Sequence, residues 1–232
     1  MIPKVAVLSG FGINCEPETM AVFEMAGAEA SKIHVNRLVS GELNLDDYHI
    51  MAIPGGFSFG DHLGSGRLMG NRLRFGLREQ VRNFVKSGKP VIGICNGFQI
   101  LIETSLLDGA LIRNNSLSFI CKDVHIKTEN HSSVFTNKTK ILRMPIAHNE
   151  GNYFASDETL KKIIDNDQVA FKYCNENGEV NLESNPNGSL ENIAGILNNK
   201  KNVLGLMPHP ERAAEQALGC DDGKYIFESV LS

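Results

Sequence analysis

Apolar positions in the first 105 residues fall into short compact runs separated by amphipathic stretches. Val5-Ala6-Val7-Leu8, Ile50-Met51-Ala52-Ile53 and Pro90 to Ile94 are apolar runs of the kind that buried strands make, and Ser31 to Val35 can be a further strand. Between them, Glu16 to Ala26 reads as a helix that Gly27 ends as a C-terminal cap. Arg74 to Lys86 reads as a second helix, with Leu77, Val81, Phe84 and Val85 on one face. A further helical run (Phe98, Leu101, Ile102) follows the fourth strand. This alternation predicts an α/β fold, a doubly wound, mostly parallel sheet flanked by helices. Right-handed crossovers then gather the C-terminal strand ends on one edge, where ligands of such sheets bind.

The second half predicts an additional small antiparallel β portion. Its β runs are short (Ser118 to Cys121, Val124 to Lys127, Ile141 to Pro145) and broken by Asn, Ser, Thr and Gly. Helical spacing returns over Asp157 to Ile164. Phe171 to Asn175 and Ile193 to Leu197 form a strand pair around a polar loop, 176 to 191. A buried strand from Asn202 to Met207 ends in a proline-flanked turn, and a helix from about Gly223 to Leu231 closes the chain. Repeats, low-complexity segments and linkers are absent from the pattern, so residues 1–232 are expected to form a single domain.

Composition narrows the partners. At 42% hydrophobic and 22% charged residues, with a net charge of -4, the chain has no electrostatic footprint for nucleic acid or an anionic membrane. No apolar run approaches the roughly 20 residues that span a bilayer. Met1 to Leu8 leads straight into a strand, so the N-terminus reads as mature sequence rather than a signal peptide. The five cysteines are scattered without any Cys-x-x-Cys pair. The expectations are no metal, no disulfide framework and a reduced, cytoplasmic setting.

The chemistry concentrates in Gly93-Ile94-Cys95-Asn96-Gly97. Strand, sharp turn and helix with a thiol at the apex is the cysteine counterpart of the nucleophile elbow. Gly93 and Gly97 remove the Cβ atoms that would clash around a strained apex. The helix opening at Asn96 points N–H groups at the thiol, favouring thiolate and offering a hold on an adjacent oxyanion. A nucleophilic cysteine needs a base with an orienting partner. Pro208-His209-Pro210-Glu211 supplies both after an apolar strand: His209 as base and Glu211, two residues on, as its orienting acid. His148, in Ala147-His148-Asn149-Glu150-Gly151, is the rival base. Gly55-Gly56, ending the third strand, can turn a second backbone donor toward the oxyanion beside the N–H of Asn96. An isolated cysteine, histidine or glycine pair is more often structural; the three together carry the reading.

Gly93 to Gln99, Pro54-Gly55-Gly56-Phe57-Ser58-Phe59-Gly60-Asp61, Pro145 to Gly151 and Gly205 to Arg212 together resemble class I (triad-type) glutamine amidotransferases. More narrowly they are similar to the small glutaminase subunits of phosphoribosylformylglycinamidine synthase, over about Lys4 to the C-terminus. The resemblance implies that Cys95 attacks the glutamine side-chain amide and that His209, oriented by Glu211, protonates the departing ammonia. It also implies that backbone N–H groups of Gly56 and Asn96 hold the oxyanion, that Gln99 helps hold glutamine, and that a glutamyl thioester is then hydrolysed. No Gly-x-x-x-x-Gly-Lys-Ser/Thr loop is present, so no cofactor is expected in this chain. The resemblance places ATP and Mg on a synthetase large subunit, with a small third subunit, and the loops 57 to 74 and 147 to 152 are candidates for docking it. The sequence departs from the family pattern at Gly64-Ser65-Gly66-Arg67 and at Asn149. The competing readings are the same glutaminase chemistry feeding another synthetase, a cysteine peptidase or γ-glutamyl hydrolase on a similar sheet, and a non-catalytic subunit keeping a relic triad.

Overall fold

The computed structural model describes residues 1–61 and 64–232. His62 and Leu63, within the loop expected to dock a partner, lie outside the described residues.

The first half follows the alternation in the sequence. Strands β1 (Lys4–Ser9), β2 (Glu29–His34), β3 (Ile50–Ile53) and β4 (Val91–Ile94) are joined by α1 (Glu16–Met25), a short α2 (Val35–Val39), α3 (Arg67–Asn71) and α4 (Arg78–Lys86). The helix α5 (Asn96–Glu103) leaves β4 directly. Later come β5 (Ala110–Ile112), β6 (Ile120–Thr128), β7 (Ile141–His148), β8 (Asn152–Phe154), α6 (Asp157–Asp165), β9 (Val169–Cys174), β10 (Ile193–Leu197), β11 (Val203–Leu206) and α7 (Lys224–Val230).

Among the described residues the strands form a nine-stranded sheet in the order β2-β1-β3-β4-β11-β10-β9-β6-β7, beside a two-stranded β5-β8 ribbon. Pairing is parallel from β2 through to β11 and antiparallel from β11 to β7. The main sheet therefore holds the parallel half and most of the antiparallel half together. The antiparallel half also curls back: the His209 N–H donates to Pro145 O of β7 at 2.8 Å, although β7 is at the far end of the pairing order. That curl brings the end of β7 to the parallel strands' C-terminal edge.

Several boundaries differ from the sequence pattern. The second strand runs over Glu29–His34 rather than Ser31 to Val35, and Val35 opens α2. Helix α3 and the Arg72–Gly76 turn occupy part of the stretch 57 to 74 expected as a loop. The helix expected over Arg74 to Lys86 is interrupted, because Arg72–Gly76 forms a wider turn and Leu77 (φ -128°) lies outside helical geometry. The interruption falls at glycine, a poor helix former. The two expected runs Ser118 to Cys121 and Val124 to Lys127 are one strand, β6, held by the β7 ladder across Lys122 and Asp123.

Buried side chains of β1, β3, β4 and β11 fill the centre (Val7, Met51, Ile92 and Leu204 are fully buried), as expected of strands covered on both faces. Phe23 of α1 meets Phe227 of α7 edge to face at 4.9 Å, fixing the last helix over the first.

Candidate active site

The C-terminal ends of β1, β3, β4 and β11 are neighbours in the sheet, and each opens into a loop that delivers one component. Cys95 follows β4 with φ 51° and ψ -106°, a backbone that non-glycine residues rarely adopt. The apex is enforced by packing. A Cβ on Gly93 would meet Leu101 Cδ1 at 2.5 Å, and one on Gly97 would lie 1.9 Å from Ile53 O. The helix thus runs close across β3, and its first turn is anchored as Phe98 N and Gln99 N donate back to Cys95 O at 3.0 and 3.2 Å.

His209 follows β11. Its Nδ1 lies 2.6 Å from Glu211 Oε1, and both side chains are essentially sealed from solvent. Burial opposes protonation of the imidazole, yet the Glu211 carboxylate and then Cys95 outweigh it and raise the pKa to about 10. Cys95 is close enough to contribute, but Nε2 completes no aligned hydrogen bond. Gly55 measures the proximity: from the position its Cβ would occupy, His209 Cε1 is 2.9 Å away and Cys95 Cβ is 3.6 Å away. The thiol is thus brought to an imidazole–carboxylate pair more than a hundred residues further along the chain.

Gly56, the expected oxyanion donor, lies where β3 ends. Gly56 (φ +148°) pairs with Ile13 in an isolated antiparallel bridge. Its hydrogen bonds come from the residues on either side, Asn14 N to Gly55 O at 3.3 Å and Phe57 N to Gly12 O at 2.7 Å. In such a pair the N–H of Gly56 points away from Ile13. A Cβ on Gly56 would lie 2.6 Å from Gly12 O, so only glycine fits. Asn96 stands at the first position of α5, and its side chain joins the loops: Oδ1 accepts from Ser58 N at 3.1 Å and Nδ2 donates to Gln99 Oε1 at 2.8 Å. Gln99 Nε2 in turn donates to Glu150 O at 2.7 Å. Gln99 thus ties the backbone of the 147–151 loop to α5 through Nε2, while its Oε1 is fixed by Asn96 within the same helix. Cys95 Sγ lies 3.7 Å from Ala147 O under that loop, and Cys95 is 6% exposed.

His148 does not hold the base position. Asn114 Nδ2 donates to Ser118 O and His148 O, so its Oδ1 faces the donors: Gly151 N at 3.1 Å and His148 Nδ1 at 3.0 Å. Burial, and then the nearby His209, lower the His148 pKa to about 4. It is a neutral ring without an acidic partner.

One residue escaped the sequence pattern. Cys15, in the turn after β1, offers its sulfur within 4.8 Å of ligand-capable atoms of His209 and Glu211. Arg212 Nη2 donates to this sulfur at 3.1 Å, and the thiol reaches Asn14 Oδ1 at 3.3 Å. Burial, and then Glu211, push its pKa up to about 12. A protonated thiol beside a guanidinium is a poor cation ligand, so these side chains read as a hydrogen-bonded cluster behind the imidazole. The available signal was position: the loop after β1 opens on the same sheet edge as those after β3 and β4.

A family model described as a CobB/CobQ-like glutamine amidotransferase domain matches residues 2–219. The chain belongs to that family. Among curated amidotransferase relatives, the phosphoribosylformylglycinamidine synthase subunit PurQ of Aquifex aeolicus is 46% identical over 232 residues, covering 99% of each chain. The subunit of the same name from Methanosarcina acetivorans is 44% identical over 98% of this chain and 96% of its own. A solved structure titled "Structure of PurLQS from Thermotoga maritima" superposes with a TM-score of 0.84 at 39% identity, covering 100% of this chain and 98% of that one. A glutamine amidotransferase structure from the same organism, at 14% identity and a TM-score of 0.60, shares the fold.

Proposed function

We propose that this chain is the glutaminase subunit of a phosphoribosylformylglycinamidine synthase. It hydrolyses glutamine to glutamate and passes the ammonia to an ATP-dependent synthetase subunit, which aminates formylglycinamide ribonucleotide in purine biosynthesis. Residues 1–232 act as one catalytic domain in the cytoplasm. ATP and Mg belong to the synthetase, and a small third subunit completes the assembly. The relatives of the same subunit name, matched over nearly their whole length, support this reading, as does the Thermotoga assembly named for three components.

Its chemistry follows from the converging strand ends. Cys95 Sγ attacks the side-chain amide carbon of glutamine, and the oxygen's developing charge is held by the N–H groups of Gly56 and Asn96. His209, through the Nε2 left free by the Glu211 contact at Nδ1, takes the thiol proton and passes it to the departing ammonia. Glu211 fixes the ring through Nδ1 and balances its positive charge. Water, activated by the same imidazole, then cleaves the thioester. Loss of a single oxyanion donor raises the barrier by about 3 to 4 kcal/mol.

The observation that carries the proposal is the placement of Cys95 and the His209–Glu211 pair on adjacent parallel strand ends. Cys95→Ala in the reconstituted complex tests it. Glutamine-dependent synthesis is lost and ammonia-dependent synthesis persists if the division of labour is correct. Loss of both activities, or of neither, rejects it.

A further inference from the structure

A cavity of about 290 Å³ lies away from the candidate active site, between the Arg72–Gly76 turn, α4 and the end of α5. Leu73 and Val81 are buried in its floor, and Arg74, Arg78 and Arg82 line its rim. Arg78 and Arg82 stand one turn apart on α4, and Arg74, in the turn that precedes the break at Leu77, lines the same space, so three like charges border one cavity. That arrangement is unfavourable unless something neutralises it. Among the described residues, none of the three guanidinium groups makes an ion pair or a hydrogen bond; Arg74 lies over the Phe75 ring at 5.6 Å. Of the described residues that line the cavity, none is acidic. Thr104, Ser105 and Leu106 close the opposite wall.

We propose that this cavity binds a small phosphate-bearing anion, a nucleotide or sugar phosphate. Three guanidinium forks supply more donors than one carboxylate can accept, but they match the oxygens of a phosphate group. The size suits a phosphate with a compact organic body, and the apolar floor of Leu73 and Val81 suits that body better than it suits water. Concavity separates this reading from docking of an acidic protein face, which needs a broad surface. The wall at Thr104 terminates the helix that starts beside Cys95, so an occupant would contact an element shared with the nucleophile.

Isothermal titration of the intact chain with adenosine monophosphate, ribose 5-phosphate and inorganic pyrophosphate tests the proposal. Arg78→Gln and the triple variant Arg74→Gln, Arg78→Gln, Arg82→Gln serve as comparisons. All three positions are exposed, so the variants should keep the parent circular dichroism and unfolding midpoint. The expected result is saturable one-to-one binding of at least one probe. It should weaken about tenfold or more in Arg78→Gln and vanish in the triple variant. Binding that is not saturable, or that is equal in parent and triple variant, overturns the proposal. So does an absence of phosphate binding combined with failure of the triple variant to join the synthetase complex, which would assign the arginines to a protein interface.

Discussion

Replacing Gly55 by alanine adds a single methyl group at the point where imidazole and thiol approach each other. Gly55 lies outside the left-handed region, so its backbone accepts alanine without strain. The new Cβ would stand 2.9 Å from His209 Cε1 and 3.2 Å from Cys15 Sγ. Comfortable carbon–carbon contact begins near roughly 3.5 Å, so the ring must retreat by about half an ångström or more. It cannot retreat freely, because Nδ1 is held 2.6 Å from Glu211 Oε1. Overpacking of this size costs about 1 to 3 kcal/mol, partly offset by a stiffer unfolded chain, so the variant should still fold. Geometry suffers more than stability. Since a displacement of about 1 Å in an active site can cost roughly a hundredfold, kcat for glutamine hydrolysis should fall about tenfold to a hundredfold. Glutamate release by the assembled complex measures it, with ammonia-dependent synthesis as the internal control. A folded variant whose kcat stays within about twofold of the parent would show that His209 is not held against Gly55 during turnover, refuting the reasoning.

Gly97→Ala should behave differently. Its Cβ would lie 1.9 Å from Ile53 O, a backbone atom with no room to yield, so the variant should fail to give soluble folded protein by circular dichroism. Gln99→Leu keeps volume but releases Glu150 O and Asn96 Nδ2, so the KM for glutamine should rise by roughly tenfold, as a lost charge-free hydrogen-bond pair allows, in steady-state assays. The stability–pH curve should bend in both directions. His209, raised from 6.5 to about 10, stabilises the fold fully below its unfolded pKa and loses that contribution as pH climbs toward 10. His148, lowered from 6.5 to about 4, makes the unfolded chain bind more protons, so stability falls as pH drops from 6.5 toward 4. Urea midpoints across pH should therefore peak near 6.5, and Glu211→Gln should flatten the alkaline limb; an unchanged alkaline limb in that variant would contradict the assigned cause.

At the sheet edge β2, with Glu29, Ser31 and Lys32 along it, gives a weaker signal, but the centre of the parallel half was legible because β1, β3 and β4 are apolar runs and α4 is amphipathic. Cys95 was legible for the same reason: Gly93 and Gly97 bracket it where β4 meets α5, and the structure shows both glycines forced by contacts with Leu101 and Ile53 O. The pair His209 and Glu211 was readable from spacing alone. Continuity of β6 was not, because Lys122 and Asp123 interrupt its apolar pattern and only the partner ladder of β7 reveals it. The curl that brings Pro145 to His209 depends on non-local pairing, which no local signal encodes. Cys15 had no motif of its own. Its place behind the imidazole comes from the sheet order, and its bond to Arg212 spans most of the chain. The link that the Gln99 amide makes between Asn96 and Glu150 O was invisible until α5 and the 147–151 loop meet.

The most direct measurement labels the assembled complex with a chloroketone analogue of glutamine and maps the modified peptides of this chain by mass spectrometry. A single adduct on Cys95, suppressed by excess glutamine and absent in Cys95→Ser, is the predicted result. An adduct on Cys15 or another cysteine, or a Cys95 left unmodified while glutaminase activity is lost, would contradict the assignment of the nucleophile.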